Sequence, residues 1–268
     1  MAEKIKVTDL RSALELLKTV PGQLIETDEP VDPHAEISGV YRQVGAGGTV
    51  MRPTRIGPAM IFNNVKGHED ARVVIGLLAS RERVGLLLGE KPERLGFLLN
   101  EAVQNPIQPV TVPNEKAKCQ EVVHYVDEPG FDIRKLIPAP TNTEEDAGPY
   151  ITTGMCYASD METGESDVTI HRLCLQSKDE ISMFFTPGAR QLGVFREKAE
   201  KFGKPLPISI SIGVDPAIES GACFEPPTTP LGFNELSIAG ALRNEPVELH
   251  DDQPQAPETS IADCRIQL

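Results

Sequence analysis

The chain has 268 residues, with 26 Lys and Arg against 40 Asp and Glu and a formal net charge of −14. This length allows one large domain or two smaller ones, and the acidic balance argues against nucleic acid or an anionic membrane surface as a partner. Five cysteines stand far apart without a CxxC pair, which indicates neither a disulfide framework nor a zinc knuckle. No segment approaches the roughly 20 apolar residues of a spanning helix or the apolar stretch of a signal peptide, so we expect a cytoplasmic protein.

The first half of the chain predicts alternating helices and strands. A helix is expected after the N-cap candidate Asp9, because apolar residues recur at helical spacing as far as Val20. In chain order we further expect a helix over 35–44, a strand within 58–67, a strand over 72–78 buried on both faces, and helices over 81–88 and 92–104. The glycines at 45–48 lack the ending of a phosphate loop and indicate a turn.

The proline-rich stretch 105–120 predicts an extended connection. It separates a predicted domain of residues 1–110 from a second one of residues 121–268, which is richer in strands. Strands are expected over 121–126, 150–158, 167–176 and 181–186, with the last three forming an antiparallel meander, then over 207–213 and 262–268. Helices are expected over 190–202 and from Pro216. The fold class is therefore α+β, an N-terminal α/β region followed by a strongly twisted sheet or split β-barrel.

The stretch DVTIHRLCLQ at 167–176 mixes polar and apolar residues on both faces of its predicted strand. Alternation places Asp167, Thr169 and His171 on one face and Arg172 on the other. Taken alone, the pattern favours an edge strand with one wet end, where Asp167 caps a turn and Arg172 lies on the surface. A ligand shared by Asp167 and Arg172 would need a bulged strand, or would have to wrap around its end.

Two other segments point towards a ligand. In TPGARQLGVFREKAE, a strand meets a helix through Pro187-Gly188, which leaves backbone N–H groups and Arg190 where an anion such as phosphate would fit. An ordinary glycine turn is the alternative there. Glu235 opens an apolar segment, and its alternative is an acid that stabilises a helix N-terminus. Because no HExxH, GxSxG or thiol-enzyme pattern occurs, a catalytic site would have to assemble from distant positions.

A family resemblance joins these segments in one register over nearly the whole chain. It is carried by DLRSALELL, GQLIETDEPVDPHAEISGVYR, GGTVMRPTRIGPAMIFNNVKG, ASRERVGLLLG, FDIRKLIPAPTNTEEDAGPYITTG, SDVTIHRLCLQ and NELSIAGALRNEPVEL. In this order they resemble the UbiD-type decarboxylases, and above all the hydroxybenzoate branch, the gallate and protocatechuate decarboxylases. The resemblance implies a split β-barrel flavin-binding-like domain, an aromatic carboxylic acid as substrate, and prenylated FMN, Mn²⁺ (or Mg²⁺) and K⁺ as cofactors. Loss of CO₂ from an aryl carboxylate leaves electron density that no side chain accepts, so the chemistry itself requires such a cofactor.

The resemblance also implies roles for individual residues. The implied metal ligands are Asp167, Gln191 and Glu235, where Gln191 replaces the family's histidine and offers a neutral oxygen. Arg172 is the implied catalytic residue, because it matches an arginine beside the flavin and the substrate carboxylate. The implied cofactor-binding residues are Asp167, Val168, Thr169, Ile170, His171, Arg172, Arg190, Gln191 and Glu235. Val168, Ala222 and Cys223 match the monovalent-cation position.

Family members are longer than this chain, and the resemblance implies that their acid–base glutamate and most of their oligomer contacts match nothing before Leu268. We therefore expect a truncated or split decarboxylase whose activity needs a complementary C-terminal half, or a homo-oligomer. Two alternatives stay open: a non-catalytic flavin- or metal-binding module, and a structural subunit.

Overall fold

A computed structural model describes residues 5–45, 57–68, 70–113, 121–185 and 190–250 with their side chains, and the backbone of 264–267. Its elements in chain order are α1 (Leu10–Lys18), β1 (Leu24–Thr27), α2 (Glu36–Val44), β2 (Ala59–Phe62), β3 (Val73–Ile75), α3 (Arg81–Leu88), a 3-10 turn (Pro92–Arg94), α4 (Leu95–Gln104), β4 (Val110–Val112), α5 (Ile133–Leu136), β5 (Tyr150–Ser159), β6 (Ser166–Leu175), β7 (Ile181–Met183), α6 (Gln191–Lys201), β8 (Ile208–Ser211), α7 (Pro216–Gly221), α8 (Leu236–Arg243), β9 (Glu248–His250) and β10 (Cys264–Gln267).

The chain forms two compact units, each assembled from separated stretches. The first contains Met1–Leu95, His124–Thr152 and Arg172–Met183. The second contains Gly96–Val123, Thr153–His171 and Phe184–Leu268. The predicted division between residues 110 and 121 stays a prediction.

The first unit contains a small sheet in the order β1-β2-β3. β1 pairs with β2 in parallel, and β2 pairs with β3 antiparallel. β2 is buried along its whole length, and Met60 and Phe62 pack with Val31, Ile37 and Val65 into one apolar cluster. α1 begins as predicted, because the Asp9 side chain accepts a hydrogen bond from the Ser12 N–H while the Ser12 hydroxyl accepts one from the Asp9 N–H.

The second unit holds the segments that carry the candidate site. Its apolar core joins β5 and β6 to the two helices α7 and α8 through Met155, Val168, Ala222 and Leu236. β4 and β9 form a separate two-stranded parallel sheet. This packing places the start of α8 against β6, where Leu236 and Val168 share one apolar cluster.

The largest sheet has five strands in the order β10-β8-β5-β6-β7. β5, β6 and β7 are neighbours in sequence and in the sheet, as the predicted meander requires. The β5–β6 turn is capped by Asp160, whose carboxylate accepts hydrogen bonds from the Glu162 and Thr163 N–H groups. None of the sheets among the described residues closes on itself, so the α+β class is confirmed and the split barrel stays a prediction.

Several local predictions differ from the structure. Residues 121–126 form no strand, and Val122 is 72% exposed. Residues that favour strands form one only where they can pair with a neighbouring strand and pack on an apolar layer. β3 is shorter than predicted and only half-buried, whereas the helices at 36–44, 81–88 and 191–201 are confirmed within two residues. Residues 46–48 of the predicted glycine-rich turn and the Pro187-Gly188 turn lie outside the described residues. No helix in the described parts of the chain is long and apolar enough to cross a membrane.

Candidate functional site

Two buried carboxyl groups meet between β6 and the start of α8. Asp167 is 3% exposed and Glu235 is 2% exposed. Burial, followed by the hydrogen bond and the charge of Glu235, raises the pKa of Asp167 to about 10. Asp167 Oδ1 and Glu235 Oε2 have no hydrogen-bond partner. Acidic oxygens that are buried, paired and short of donors are satisfied by a bound cation.

Glu235 reaches this place because another residue caps the helix. The Asn234 side chain accepts from the Leu236 N–H at 3.0 Å, and its backbone carbonyl accepts from the Ser237 hydroxyl at 2.6 Å. Glu235 makes no side-chain capping bond. The carboxyl group of Glu235 is buried, and the alternative of an acid that stabilises the helix N-terminus through the helix dipole stays a prediction.

β6 is largely buried on both faces. Asp167, Thr169 and His171 are buried, whereas Arg172 is exposed. The interpretation of Asp167 as a turn cap at a wet strand end is wrong, since that cap is Asp160. Arg172 does lie at the surface, and alternation along the unbroken strand directs it away from the face of Asp167. Its catalytic role stays a prediction.

His171 is a buried histidine with an unused nitrogen. Burial, followed by the charge of Arg190, lowers its pKa, so the ring is neutral at pH 7. Its ring lies 5.2 Å from that of Phe185, and Nε2 has no hydrogen-bond partner. The side chain therefore offers a neutral nitrogen for hydrogen bonding on the same face of β6 as Asp167.

Arg190, which precedes α6, is tied to β6. Its Nη1 donates to Thr169 Oγ1 at 2.6 Å and to the Ile170 carbonyl at 2.8 Å. Its Nε lies 3.3 Å from Glu225 Oε2. These partners make Arg190 an anchor of the strand, and its predicted contact with an anionic cofactor stays a prediction.

Gln191 is 3% exposed and uses both ends of its amide. Oε1 accepts from the Gly232 N–H at 2.7 Å, and Nε2 donates to the Phe233 carbonyl at 2.7 Å. Among the described residues, no three His, Cys, Asp or Glu side chains gather into a possible metal site. A cation on the carboxyl pair would thus need neutral oxygens as further ligands, and ligation by Gln191 stays a prediction.

The residues that match the monovalent-cation position lie in mostly apolar surroundings. Val168 and Ala222 are 3% and 1% exposed within the core of the second unit. Cys223 is an exposed free thiol. The K⁺ expectation stays a prediction.

Sequence reasoning missed an ionic cluster between α7 and α8. Asp215 caps α7 by accepting from the Ala217 N–H, and it binds Arg243 through Nε at 2.8 Å and Nη2 at 2.5 Å. Glu219 lies beside it, 6% exposed, and burial followed by the charge of Asp215 raises its pKa to about 7. The Asp215-Pro216 pair is a visible helix start, but no local pattern connects it to Arg243.

Sequence profiles of one family match both parts of the chain. The 3-octaprenyl-4-hydroxybenzoate carboxy-lyase N-terminal domain (UbiD_N) matches residues 15–103. The Rift-related domain of the same carboxy-lyase (UbiD) matches residues 110–262. The two matches cover most of the chain in the order expected of that family.

Characterised proteins agree with these profiles. A gallate decarboxylase of Lactiplantibacillus plantarum is 56% identical over 91% of this chain and 50% of its own length. The apo 3,4-dihydroxybenzoic acid decarboxylase of Enterobacter cloacae superimposes with a TM-score of 0.85 at 59% identity, over 92% of this chain and 51% of the other. An evolved dimeric form of the UbiD-class enzyme HmfF from Pelotomaculum thermopropionicum, in complex with prFMN, gives 0.81 at 33% identity, over 91% and 53%.

The chain spans about half the length of these relatives. The similarity nevertheless extends over nine-tenths of this chain, in sequence and in structure alike. The chain therefore belongs to the UbiD family of carboxy-lyases.

Proposed function

We propose that this chain carries the metal and flavin site of a UbiD-type decarboxylase that removes CO₂ from a hydroxylated benzoic acid. The observation that carries the proposal is the buried pair Asp167 and Glu235, with one unpartnered oxygen on each residue. The substrate class is supported by 56% identity to a gallate decarboxylase. The small-molecule partner would be an aromatic carboxylic acid with a hydroxylated ring.

The carboxyl pair fits a hard divalent cation such as Mn²⁺ or Mg²⁺. Carboxylate oxygens are the ligands that these ions prefer, and a double positive charge would let both acids ionise where burial now holds a proton on the pair. Asp167 and Glu235 would hold the ion, with neutral oxygens as its further ligands. K⁺ near Val168, Ala222 and Cys223 belongs to the same proposal.

The face of β6 that bears Asp167 fits the edge of a flavin. Prenylated FMN, when bound, would accept the electron density left as CO₂ departs. Thr169 and the neutral His171 lie on that face, Val168 and Ile170 alternate with them, and Arg190 holds the strand in place. An evolved form of the relative HmfF has a solved structure in complex with prFMN, which supports the same cofactor here.

Arg172 would bind and orient the carboxylate of the substrate. Because Arg172 lies on the face of β6 opposite to Asp167, the ligand would have to wrap around the end of the strand to meet both. Its planar guanidinium matches a carboxylate with two parallel hydrogen bonds, and its exposure leaves it accessible. The proposal also includes a split-barrel fold of the five-stranded sheet, a cytoplasmic location, and assembly as a homo-oligomer or with a complementary chain. An evolved form of HmfF is dimeric, and this supports the last point.

Cofactor loading tests the proposal without requiring turnover. The chain should be co-expressed with a flavin prenyltransferase in medium containing Mn²⁺, and purified protein should show visible flavin absorbance and bound manganese. The Glu235→Gln protein, which keeps the size of the side chain, should lose the manganese. A wild-type protein that is colourless and metal-free would contradict the proposal.

A further inference from the structure

Gln191 connects two segments that are distant in sequence. It is the first residue of α6, and its partners Gly232 and Phe233 lie 41 and 42 residues later. Both bonds measure 2.7 Å, and they use the oxygen and the nitrogen of one amide. Such a pairing fixes the Gly232-Phe233 segment at both ends, because the N–H that enters Gly232 and the carbonyl that leaves Phe233 are both held by one rigid amide.

This loop leads directly to Glu235. Only Asn234 lies between, and its side chain and carbonyl are bound to the first turn of α8. Gly232 has a positive φ of 87°, and a Cβ there would lie 2.8 Å from Glu165 Oε1. A shift of Phe233 would therefore pass through Asn234 to the backbone of Glu235.

The neighbouring residue anchors the other side of the carboxyl pair. Arg190 binds Thr169 and Ile170 of β6, and Asp167 lies on the same strand. Consecutive residues at the start of α6 thus hold the strand that bears Asp167 and the loop that precedes Glu235.

We infer that Gln191 is a positioning residue, which sets the place of Glu235 relative to Asp167 by holding the Gly232-Phe233 segment instead of acting as a metal ligand. The inference rests on the proposed metal site. If Gln191 turned its oxygen fully towards a metal ion, the Gly232 N–H and the Phe233 carbonyl would lose their partners. A buried, doubly bonded amide is better explained as a support of the site than as one of its ligands.

The substitution Gln191→Glu separates the two roles by the sign of its effect. It keeps an acceptor for Gly232 but replaces the donor to Phe233 with an oxygen that faces the carbonyl. A ligand role predicts tighter Mn²⁺ binding, because the new side chain adds negative charge. A positioning role predicts Mn²⁺ binding weaker by about tenfold or more, as for other residues that support metal ligands, with faster hydrogen exchange at the Gly232 amide.

The matched control is Gln176→Glu, the same chemical change at an exposed amide that bonds Ser182 Oγ at 3.0 Å. It should change neither measurement. Gln191→Met keeps the length of the side chain and removes both hydrogen bonds, so it should also speed hydrogen exchange in the loop. Because it adds no charge, it shows whether a defect of Gln191→Glu comes from misfolding caused by the new charge.

Mn²⁺ binding is measured by the loss of the free-ion electron paramagnetic resonance signal, and loop protection by hydrogen exchange with mass spectrometry. Faster exchange confined to the loop, together with weaker Mn²⁺ binding in Gln191→Glu, supports the inference. Unchanged exchange, or tighter Mn²⁺ binding in Gln191→Glu, overturns it. A third result would separate the two proposals. If no protein binds Mn²⁺, wild type included, but the Gln191 variants exchange faster in the loop than wild type, Gln191 does position the loop and only the proposed metal site is refuted.

Discussion

Buried acids determine the electrostatics of the second unit. Burial and the neighbouring Glu235 raise the pKa of Asp167 to about 10, so Asp167 carries a proton at pH 7, whereas Glu219 lies beside Asp215, whose charge is already balanced by Arg243. The first pair has oxygens left for a ligand, and the second group is an internal ionic cluster. The two therefore respond differently to pH and to metal ions.

Glu219 should make the protein less stable as pH rises from about 4.5 to about 7. Its pKa is raised from 4.5 to about 7 in the folded chain, so across this interval the folded state keeps a proton that the unfolded state releases. The contribution to the free energy of unfolding is complete below pH 4.5 and is lost by pH 7, up to about 3 kcal/mol. Urea unfolding at pH 5 and pH 8 measures the loss.

The variant Glu219→Gln removes the titration and keeps the shape of the side chain. The difference in unfolding free energy between pH 5 and pH 8 should be smaller in the variant than in wild type. An identical difference in both proteins would show that Glu219 is ionised in the folded chain at pH 5.

At the level of elements, close contact between chain segments places the start of α8. A Cβ at Gly221 of α7 would lie 2.9 Å from the Glu235 carbonyl oxygen, and one at Gly240 of α8 would lie 2.5 Å from the Ile107 carbonyl oxygen. Real Cβ atoms do not approach carbonyl oxygens so closely, and backbone cannot yield as a flexible side chain does. Both glycines therefore permit packing that any larger residue would displace.

Gly240→Ala should destabilise the protein by about 1–3 kcal/mol, because overpacking outweighs the higher helix propensity of alanine. The control is Gly39→Ala in α2, where a new Cβ meets nothing within 4 Å. That change should stabilise by about 0.5–1 kcal/mol. Thermal unfolding of both variants checks the prediction, and a stabilised Gly240→Ala protein would contradict the packing described for α8.

Local signals predicted those elements that depend on local chemistry. The Asp9 cap and the apolar spacing that follows it define α1 without help from distant residues. The segment 121–126 is rich in valine and tyrosine, as strands are, but no neighbouring strand pairs with it in the described parts of the chain. Whether such a segment forms a strand depends on packing that its own residues do not encode.

The candidate site could be predicted only in part for a similar reason. Family resemblance drew attention to Asp167 and Glu235, 68 positions apart in the printed sequence, and the structure brings them together. Strand alternation correctly separated Asp167 from Arg172. The bonds of Gln191 to the Gly232 N–H and the Phe233 carbonyl follow from tertiary packing, and no spacing or composition in the sequence indicates them.

At the scale of the whole molecule, each compact unit is built from three separated stretches. Asp167, Arg190, Gln191 and Glu235 all belong to the second unit, so the proposed metal site depends on the correct folding of that unit. This arrangement explains why the site lies in three segments of the chain that show no common local motif.

The most direct test of the account is Mn²⁺ binding by the purified chain, titrated in wild type and in Asp167→Asn and Glu235→Gln. We expect one ion per chain in wild type, weaker binding by about a hundredfold in each variant, and no loss of thermal stability in the metal-free variants, since each change removes a buried acid. Equal binding by wild type and both variants, or no binding by any of them, would contradict the assignment of the carboxyl pair as the metal site.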